Sequence, residues 1–237
     1  MNVEIIASGS TGNCALIDGV IMIDAGKKIP KAKAIDVEAI LLSHCHSDHI
    51  KMLCEYFGFP IYCSEHTAKK LGEKYEPHKF NIIEPDHPFV LNTVQGWYTI
   101  RPLELQHDVP CLGFDIERRG DGRILFATDF YRIKSGICLA DYDALYIECN
   151  NTLSEGNMLA VFFGDDPPKD AFHRKKSYQN HCNVSYLIGL LKKQGYSKEN
   201  RYEKPITLLH KSSFYYEANI ERISELIEIA NVINPNY

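Results

Sequence analysis

The order of apolar and polar positions predicts strands first. Val3–Ala7, Cys14–Ile17 and Val20–Ile23 are short apolar runs, split by turn-rich Ser8–Asn13 and by Asp18-Gly19, a hairpin signal. Similar runs recur at Ala39–Leu42, Ile61–Cys63, Gly96–Leu105, Gly113–Glu117, Ile124–Ala127, Ala144–Ile147 and Ile206–Leu209. Their length and flanking turn residues fit strands. Helical spacing comes between and after them, at Ile50–Phe57, Thr67–Lys74, Val184–Lys193 and Glu217–Asn231. In the third of these, Val184, Leu187, Ile188 and Leu191 share a face and Asn183 is the expected N-cap. Polar Gly164–Gln179, with Pro167-Pro168 inside it, reads as a long surface loop. Strands dominate the first two thirds, which favours α/β (α+β) architecture with sheets sandwiched between outer helices over a doubly wound parallel sheet.

Composition narrows the class. A chain of 237 residues fits one domain, spanning 1–237. Hydrophobic residues at 45% and charged residues at 24% suit a soluble globular protein and exclude disorder as the main state. No run approaches the ~18 apolar residues of a membrane span, and the N-terminus lacks a signal-peptide pattern. A cytoplasmic location without membrane partners is the expectation. The eight cysteines include no C-x-x-C pair and read as small buried apolar residues. A formal charge of −5 argues against binding nucleic acid by overall charge. Lys27, Lys28, Lys31, Lys33 and the Arg174-Lys175-Lys176 run are local candidates for phosphate contact, with a solvated face as the simpler reading.

The ten histidines carry the chemistry. Leu41-Leu42-Ser43-His44-Cys45-His46-Ser47-Asp48-His49 is an apolar strand running into H-x-H-x-D-H. In extended chain, residues two apart project to one side, so His44 and His46 can share a metal ion. A following turn lets Asp48 and His49 face a second ion. Imidazole and carboxylate suit zinc, or manganese or iron at similar sites. Two ions ~3.5–4 Å apart can hold a hydroxide and clamp a phosphoryl or acyl oxygen. Further ligand-type residues stand where apolar strands stop: His107, Asp129 and His210. Each alone reads as a surface histidine or a turn aspartate; with the upstream cluster, they read as ligands.

With that ordered set, H-x-H-x-D-H then His, Asp, His, the sequence resembles the metallo-β-lactamase superfamily of di-metal hydrolases over nearly its whole length. The resemblance implies a four-layer αββα sandwich. It implies that His44, His46 and His107 hold one divalent ion, that Asp48, His49 and His210 hold the other, and that Asp129 bridges both. The ions implied are Zn2+ first, with Mn2+ or Fe2+ as alternatives. Ala7-Ser8-Gly9-Ser10-Thr11-Gly12-Asn13-Cys14, Met22-Ile23-Asp24-Ala25-Gly26, His107-Asp108 with Gly113-Phe114, and Glu148-Cys149-Asn150 resemble the YycJ-like branch, near ribonuclease Z. Asn180-His181-Cys182-Asn183 stands where that branch shows Gly-His-Leu-Ser, and Lys211 replaces a leucine of its closing motif.

The resemblance implies a phosphodiesterase, with DNA or RNA as the leading substrate class. Asp48 is expected to orient the nucleophile and His181 to bind a phosphate oxygen or protonate the leaving group. Arg174 and Asn150 join His181 as expected substrate contacts, Asn150 and Glu148 alternatively as braces. Asp108 is expected to fix the tautomer of a ligand histidine. The alternatives are a phosphodiesterase for small cyclic or nucleotide phosphates, and a lactone or thioester hydrolase on the same fold. A homodimer is the expected assembly.

Overall fold

Cys14–Ile17 is buried at all four positions, so both of its faces are covered. Ala15 and Ile17 enter one core, while Cys14 and Leu16 enter another. That alternation is the period of a strand, and it places the strand in an inner layer. The computed structural model describes residues 1–34, 36–56, 58–72, 80–152, 171–211 and 220–233, with the side chains of 171–174, 177 and 220–222 outside the description.

The first sheet takes its strands in chain order: β1 (Val3–Ala7), β2 (Cys14–Ile17), β3 (Ile21–Ile23), β4 (Ala39–Leu41), β5 (Ile61–Cys63) and β6 (Phe80–Ile82). The β1–β2 and β2–β3 pairings are antiparallel and the rest parallel. The second sheet contains β7 (Phe89–Thr93), β8 (Gly96–Gln106), β9 (Cys111–Arg118), β10 (Gly122–Ala127), β11 (Arg132–Ile133), β12 (Ala144–Glu148), β13 (Tyr202–Leu209) and β14 (Ala230–Ile233). Its order is β11-β8-β9-β10-β12-β13-β14, with β7 also on β8. The run β10-β12-β13-β14 is parallel.

Three cores make the layers. Ile17, Ile23 and Leu41 meet Ile100, Phe114 and Phe126 between the sheets. Leu42, Leu53, Ile61 and Leu71 form a second core under α2 (Ser47–Ile50) and α3 (Glu65–Gly72). Leu125, Leu145 and Ile206 form a third, against α5 (Val184–Lys193) and α6 (Ile220–Ile229). Two short or polar helices, α1 (Lys31–Ala34) and α4 (Ala171–Asn180), complete the set among the described residues. The result is the αββα sandwich expected from the sequence.

Most boundaries fall within a residue or two of the pattern, and Asn183 caps α5 by accepting from Ser185 N–H at 2.7 Å. The departures have physical reasons. Residues 171–179 of the expected Gly164–Gln179 loop are helical, in a helix that runs to Asn180; the segment carries no apolar stripe to announce it. The Asp165–Pro168 turn lies outside the described residues. The last expected helix ends at Ile229, and Ala230–Ile233 pairs with β13 as a strand. The expected Ile50–Phe57 helix is instead α2 followed by a 3-10 turn at Leu53–Tyr56. β6, β7 and β11 are unpatterned in the sequence because they are only partly buried.

Parallel strands end together. The C-terminal ends of β3 and β4 in one sheet, and of β10, β12 and β13 in the other, carry the ligand-type residues. The two sheets are joined at that edge by Leu112 N–H donating to Ser43 C=O at 2.9 Å. Backbone bonds then stitch the loops: Asn13 N–H to Asp48 C=O at 2.7 Å, Gly26 N–H to Asn13 C=O at 2.8 Å, Ala25 N–H to His49 C=O at 2.7 Å. Gly26 is required there, because a Cβ on it would stand 1.6 Å from the Asp48 carbonyl oxygen. Gly26→Ala should therefore destabilise the fold by about 1–3 kcal/mol or more and displace the Asp48–His49 turn. Thermal unfolding and zinc stoichiometry check both effects.

Farther from that edge, buried Asp115 on β9 clamps its neighbours. It accepts from Arg123 Nε and Nη2 at 2.8 Å each and from Arg101 Nε at 3.1 Å. Burial raises its carboxyl, but the two guanidiniums outweigh burial and hold it below the ordinary range. A depressed carboxyl stabilises the fold above its unfolded pKa and loses that contribution as pH falls through its folded value. Asp115→Asn should cost about 1–3 kcal/mol at pH 7, discounted for the part-exposed arginines. Denaturant unfolding should show the gap from wild type closing below about pH 4.

Candidate metal centre

β4 delivers the first histidines. Its strand is fully buried, and burial continues through Ser43 and His44 before His46 caps α2 with φ −66° and ψ 149°. Asp48 and His49 lie in the single turn that follows. Three further positions adopt left-handed backbone where strands stop: Asp24 (φ 57°), Asp129 (φ 53°) and His210 (φ 49°). Such conformations cost about 1–3 kcal/mol in non-glycine residues and gather at functional sites.

These residues converge. His44, His46, His107 and Asp129 place donor atoms within 4.8 Å of one another; so do Asp48, His49 and Asp129; so do Asp129, Glu148, His181 and His210. Asp129 is common to all three groups. Its Oδ2 lies 3.0 Å from His49 Nε2 and 3.8 Å from His44 Nε2, and its Oδ1 lies 2.5 Å from His210 Nδ1. The structure thus brings together all seven expected ligands, with His210 joining Asp48 and His49 through Asp129 rather than directly.

The donor set fits a divalent cation. His44 Nε2 is buried and has no hydrogen-bond partner, which a buried ring nitrogen rarely tolerates. Burial pushes the His44 and His107 imidazoles below their ordinary pKa, so both stay neutral, the state that binds metal. His49 and His210 go the other way. Burial opposes their charge, but Asp24 and Asp129 hold His49 well above the ordinary value, and Asp129 with Glu148 raises His210 to about 10. The carboxylates that keep protons there supply the negative charge a cation would take.

Supporting residues fix the rings. Asp24 is 1% exposed; its Oδ2 lies 2.7 Å from His49 Nδ1, and it also accepts from Ser43 N–H and Oγ–H. His49 Nε2 is left to face Asp129. Asn13 Nδ2 lies 3.2 Å from Asp48 Oδ2. His107 Nδ1 meets the Asn180 carbonyl at 3.1 Å. Asp108 Oδ1 sits 3.0 Å from His107 Nε2 and 3.4 Å from Nε2 of His46, whose Nδ1 faces His107. Glu148 is fully buried, 2.8 Å from His181 Nδ1 and 2.9 Å from His210 Nδ1, and accepts from Phe130 N–H at 2.7 Å. Burial raises its carboxyl, yet His181 and His210 hold it below the ordinary range. Burial opposes charge on His181, and Glu148 overcomes it, raising that imidazole.

The expected substrate contacts divide. His181 stands between α4 and α5, its ring centroid 5.0 Å from that of His210 and 5.6 Å from that of His107. Asn150 is buried and donates to the His210 carbonyl at 2.9 Å, a bracing position rather than an open one. Arg174 lies on α4, with its side chain outside the described residues. Sequence reasoning missed Asp24 and Asn13 as parts of the site. The rule that selects Asp129, an acidic residue where an apolar strand stops, also applies to Asp24 after Ile21–Ile23.

The model of the beta-lactamase superfamily domain matches residues 16–161. The chain belongs to this superfamily. It is 26% identical over 167 residues to exodeoxyribonuclease WalJ of Streptococcus pneumoniae, 62% of either chain. To exodeoxyribonuclease YycJ of Bacillus anthracis it is 29% identical over 107 residues, 39% of either chain. The match thus spans less than two thirds of the length of both relatives. Among solved structures, the metallo-beta-lactamase fold protein YhfI of Bacillus subtilis superposes with a TM-score of 0.67 at 19% identity, covering 99% of this chain and 96% of that one. Both curated relatives are named exonucleases, and the metallo-beta-lactamase fold implies a divalent metal. Among the described residues no helix is long and apolar enough to cross a membrane.

Asp24→Ala frees His49 Nδ1 and leaves a buried imidazole unoriented. Zinc affinity, measured by competition with a chromogenic chelator, should fall about 10–100-fold.

Proposed function

We propose that the chain is a di-metal phosphodiesterase acting on nucleic acid. The observation that carries this reading is the sharing of one buried carboxylate, Asp129, by three groups of donor atoms. The exonuclease relatives supply the substrate class. His44, His46 and His107 would hold one ion and Asp48, His49 and His210 the other, with Asp129 serving both; Zn2+ is the first candidate, Mn2+ and Fe2+ the alternatives. When bound, such ions acidify water and offset charge on phosphoryl oxygens.

The protein's own groups do the rest. Asp24 and Asn13 hold His49 and Asp48 in place, and Asp48 orients the attacking water. Glu148 engages Nδ1 of His181, which leaves Nε2 as the nitrogen for a phosphate oxygen or the leaving alkoxide. Glu148 raises the His181 imidazole above its ordinary pKa and so favours the protonated form, the form that donates a proton. Arg174, on the helix that leads into His181, would add positive charge to the site. Asn150 supports the strained backbone of His210.

A net charge of −5 favours a second reading, a phosphodiesterase for small cyclic or nucleotide phosphates. Salt separates the two, since an enzyme gripping several phosphates loses affinity steeply as salt rises. The test is a panel of bis-p-nitrophenyl phosphate, single- and double-stranded DNA, RNA, cyclic nucleotides and a lactone, offered to zinc-loaded protein. Hydrolysis of the phosphodiesters with strong salt dependence on the polymers is expected, and cleavage of the lactone alone overturns the reading. Asp129→Ala should abolish turnover and reduce bound zinc below two ions per chain; retention of both ions and of activity rules out the shared-ligand assignment.

A further inference from the structure

Beside His107, a cavity of about 460 Å³ opens between the start of α3, the end of β6 and the β8–β9 turn. Its volume is that of small-molecule sites, about 300–1,000 Å³. The floor is apolar: Ile83, Leu105 and Leu112 are buried, and Ile82 lines the wall with 48% of its surface exposed. The rim is acidic, carrying Glu65, Glu84, Glu104 and Asp108. Lys134 shares the rim, but its Nζ is held by Glu104 at 2.7 Å. Asp108, which faces Nε2 of both His107 and His46, places the mouth of the cavity at the candidate metal centre.

This charge pattern rejects phosphate. A phosphodiester on that side would meet Glu65, Glu84 and Asp108, Glu104 being paired with Lys134, and a like-charge approach of this kind is unfavourable within a Debye length, about 8 Å at physiological salt. An uncharged group with hydrogen-bond donors and a flat apolar face is what the lining accepts. A nucleobase has both: its ring N–H or amino groups donate to carboxylates, and its ring packs on aliphatic side chains. On the other flank, by Asp48 and His49, exposed Lys27 packs beside Gly12 and has no ion-pair partner among the described residues.

We propose that the cavity is a nucleoside subsite. It takes the base and sugar on one side of the scissile phosphate, and the remaining phosphate chain leaves over the Lys27 flank. The enzyme then acts at a chain end or on a short substrate, because a polymer continuing through the acidic cavity would carry its phosphates past the carboxylates. This inference rests on the phosphodiesterase reading and adds a side-specific preference to it.

The test compares two chromogenic esters of the zinc-loaded enzyme: thymidine 5′-(p-nitrophenyl phosphate), and methyl p-nitrophenyl phosphate, whose methyl group is too small to fill the cavity. Ile82→Trp and Glu84→Trp, both at exposed positions, narrow the cavity without touching the metal residues. Each should raise KM for the thymidine ester at least fivefold with little change in kcat, and leave the methyl ester within twofold of wild type. Saturation-transfer NMR should show thymidine bound to wild type and weakened in both variants. Equal effects on the two esters, or none on either, overturn the subsite, as does thymidine binding that the variants do not alter. If neither ester is cleaved while thymidine binding still depends on Ile82 and Glu84, the phosphodiesterase reading fails and the nucleoside subsite stands.

Discussion

A carboxylate sealed from water is stable only with positive charge around it. Asp129 is such a group: 3% exposed, held in left-handed backbone, and within 3.0 Å of ring nitrogens of both His49 and His210. Burial alone would neutralise it, yet the neighbouring imidazoles keep its carboxyl well below the ordinary range. The geometry of the centre follows from this one requirement. β10 supplies the aspartate, the turn after β4 supplies His49, and β13 supplies His210. Bringing three chain segments to one point from two sheets requires the sheets to face each other and their parallel strands to end at one edge.

The second constraint is orientation. An imidazole that offers one nitrogen to the centre must have the other engaged, or its ring is free to turn. Asp24 engages His49, the Asn180 carbonyl engages His107 and Glu148 engages His181, while Glu148 shares Nδ1 of His210 with Asp129. Glu148 thereby joins a ligand-type histidine to the histidine proposed to meet the leaving group. A single fully buried side chain, fixed by the Phe130 and Cys182 amides, sets the positions of both.

The layers and the first shell were legible in the sequence for the same reason. Strands of this fold are short, buried and apolar, so they stand out, and their ends mark where polar side chains must face the site. H-x-H-x-D-H, His107, Asp129 and His210 could be found from that pattern. Asp24 satisfies the same rule, and only the fold shows that it touches His49. Asn13 resembles any turn asparagine until its amide is seen beside Asp48. The Asp108 side chain could not be placed, because adjacent residues on a turn point in directions that spacing does not fix. Helix α4 was hidden for the opposite reason: a helix without an apolar face has no period to read.

The span of the centre along the chain has a consequence for synthesis. Its parts run from Asn13 to His210, and the His210 amide donates at 2.8 Å to Ser8 Oγ, 202 residues earlier. During translation the N-terminal sheet and the H-x-H-x-D-H turn emerge long before the strand that carries His210. Until β13 inserts between β12 and β14, the carboxylates of Asp129 and Glu148 lack one of their two histidine neighbours. A nascent or clipped chain therefore cannot assemble the full set of side chains. The donor set is complete only once β13 has joined the sheet.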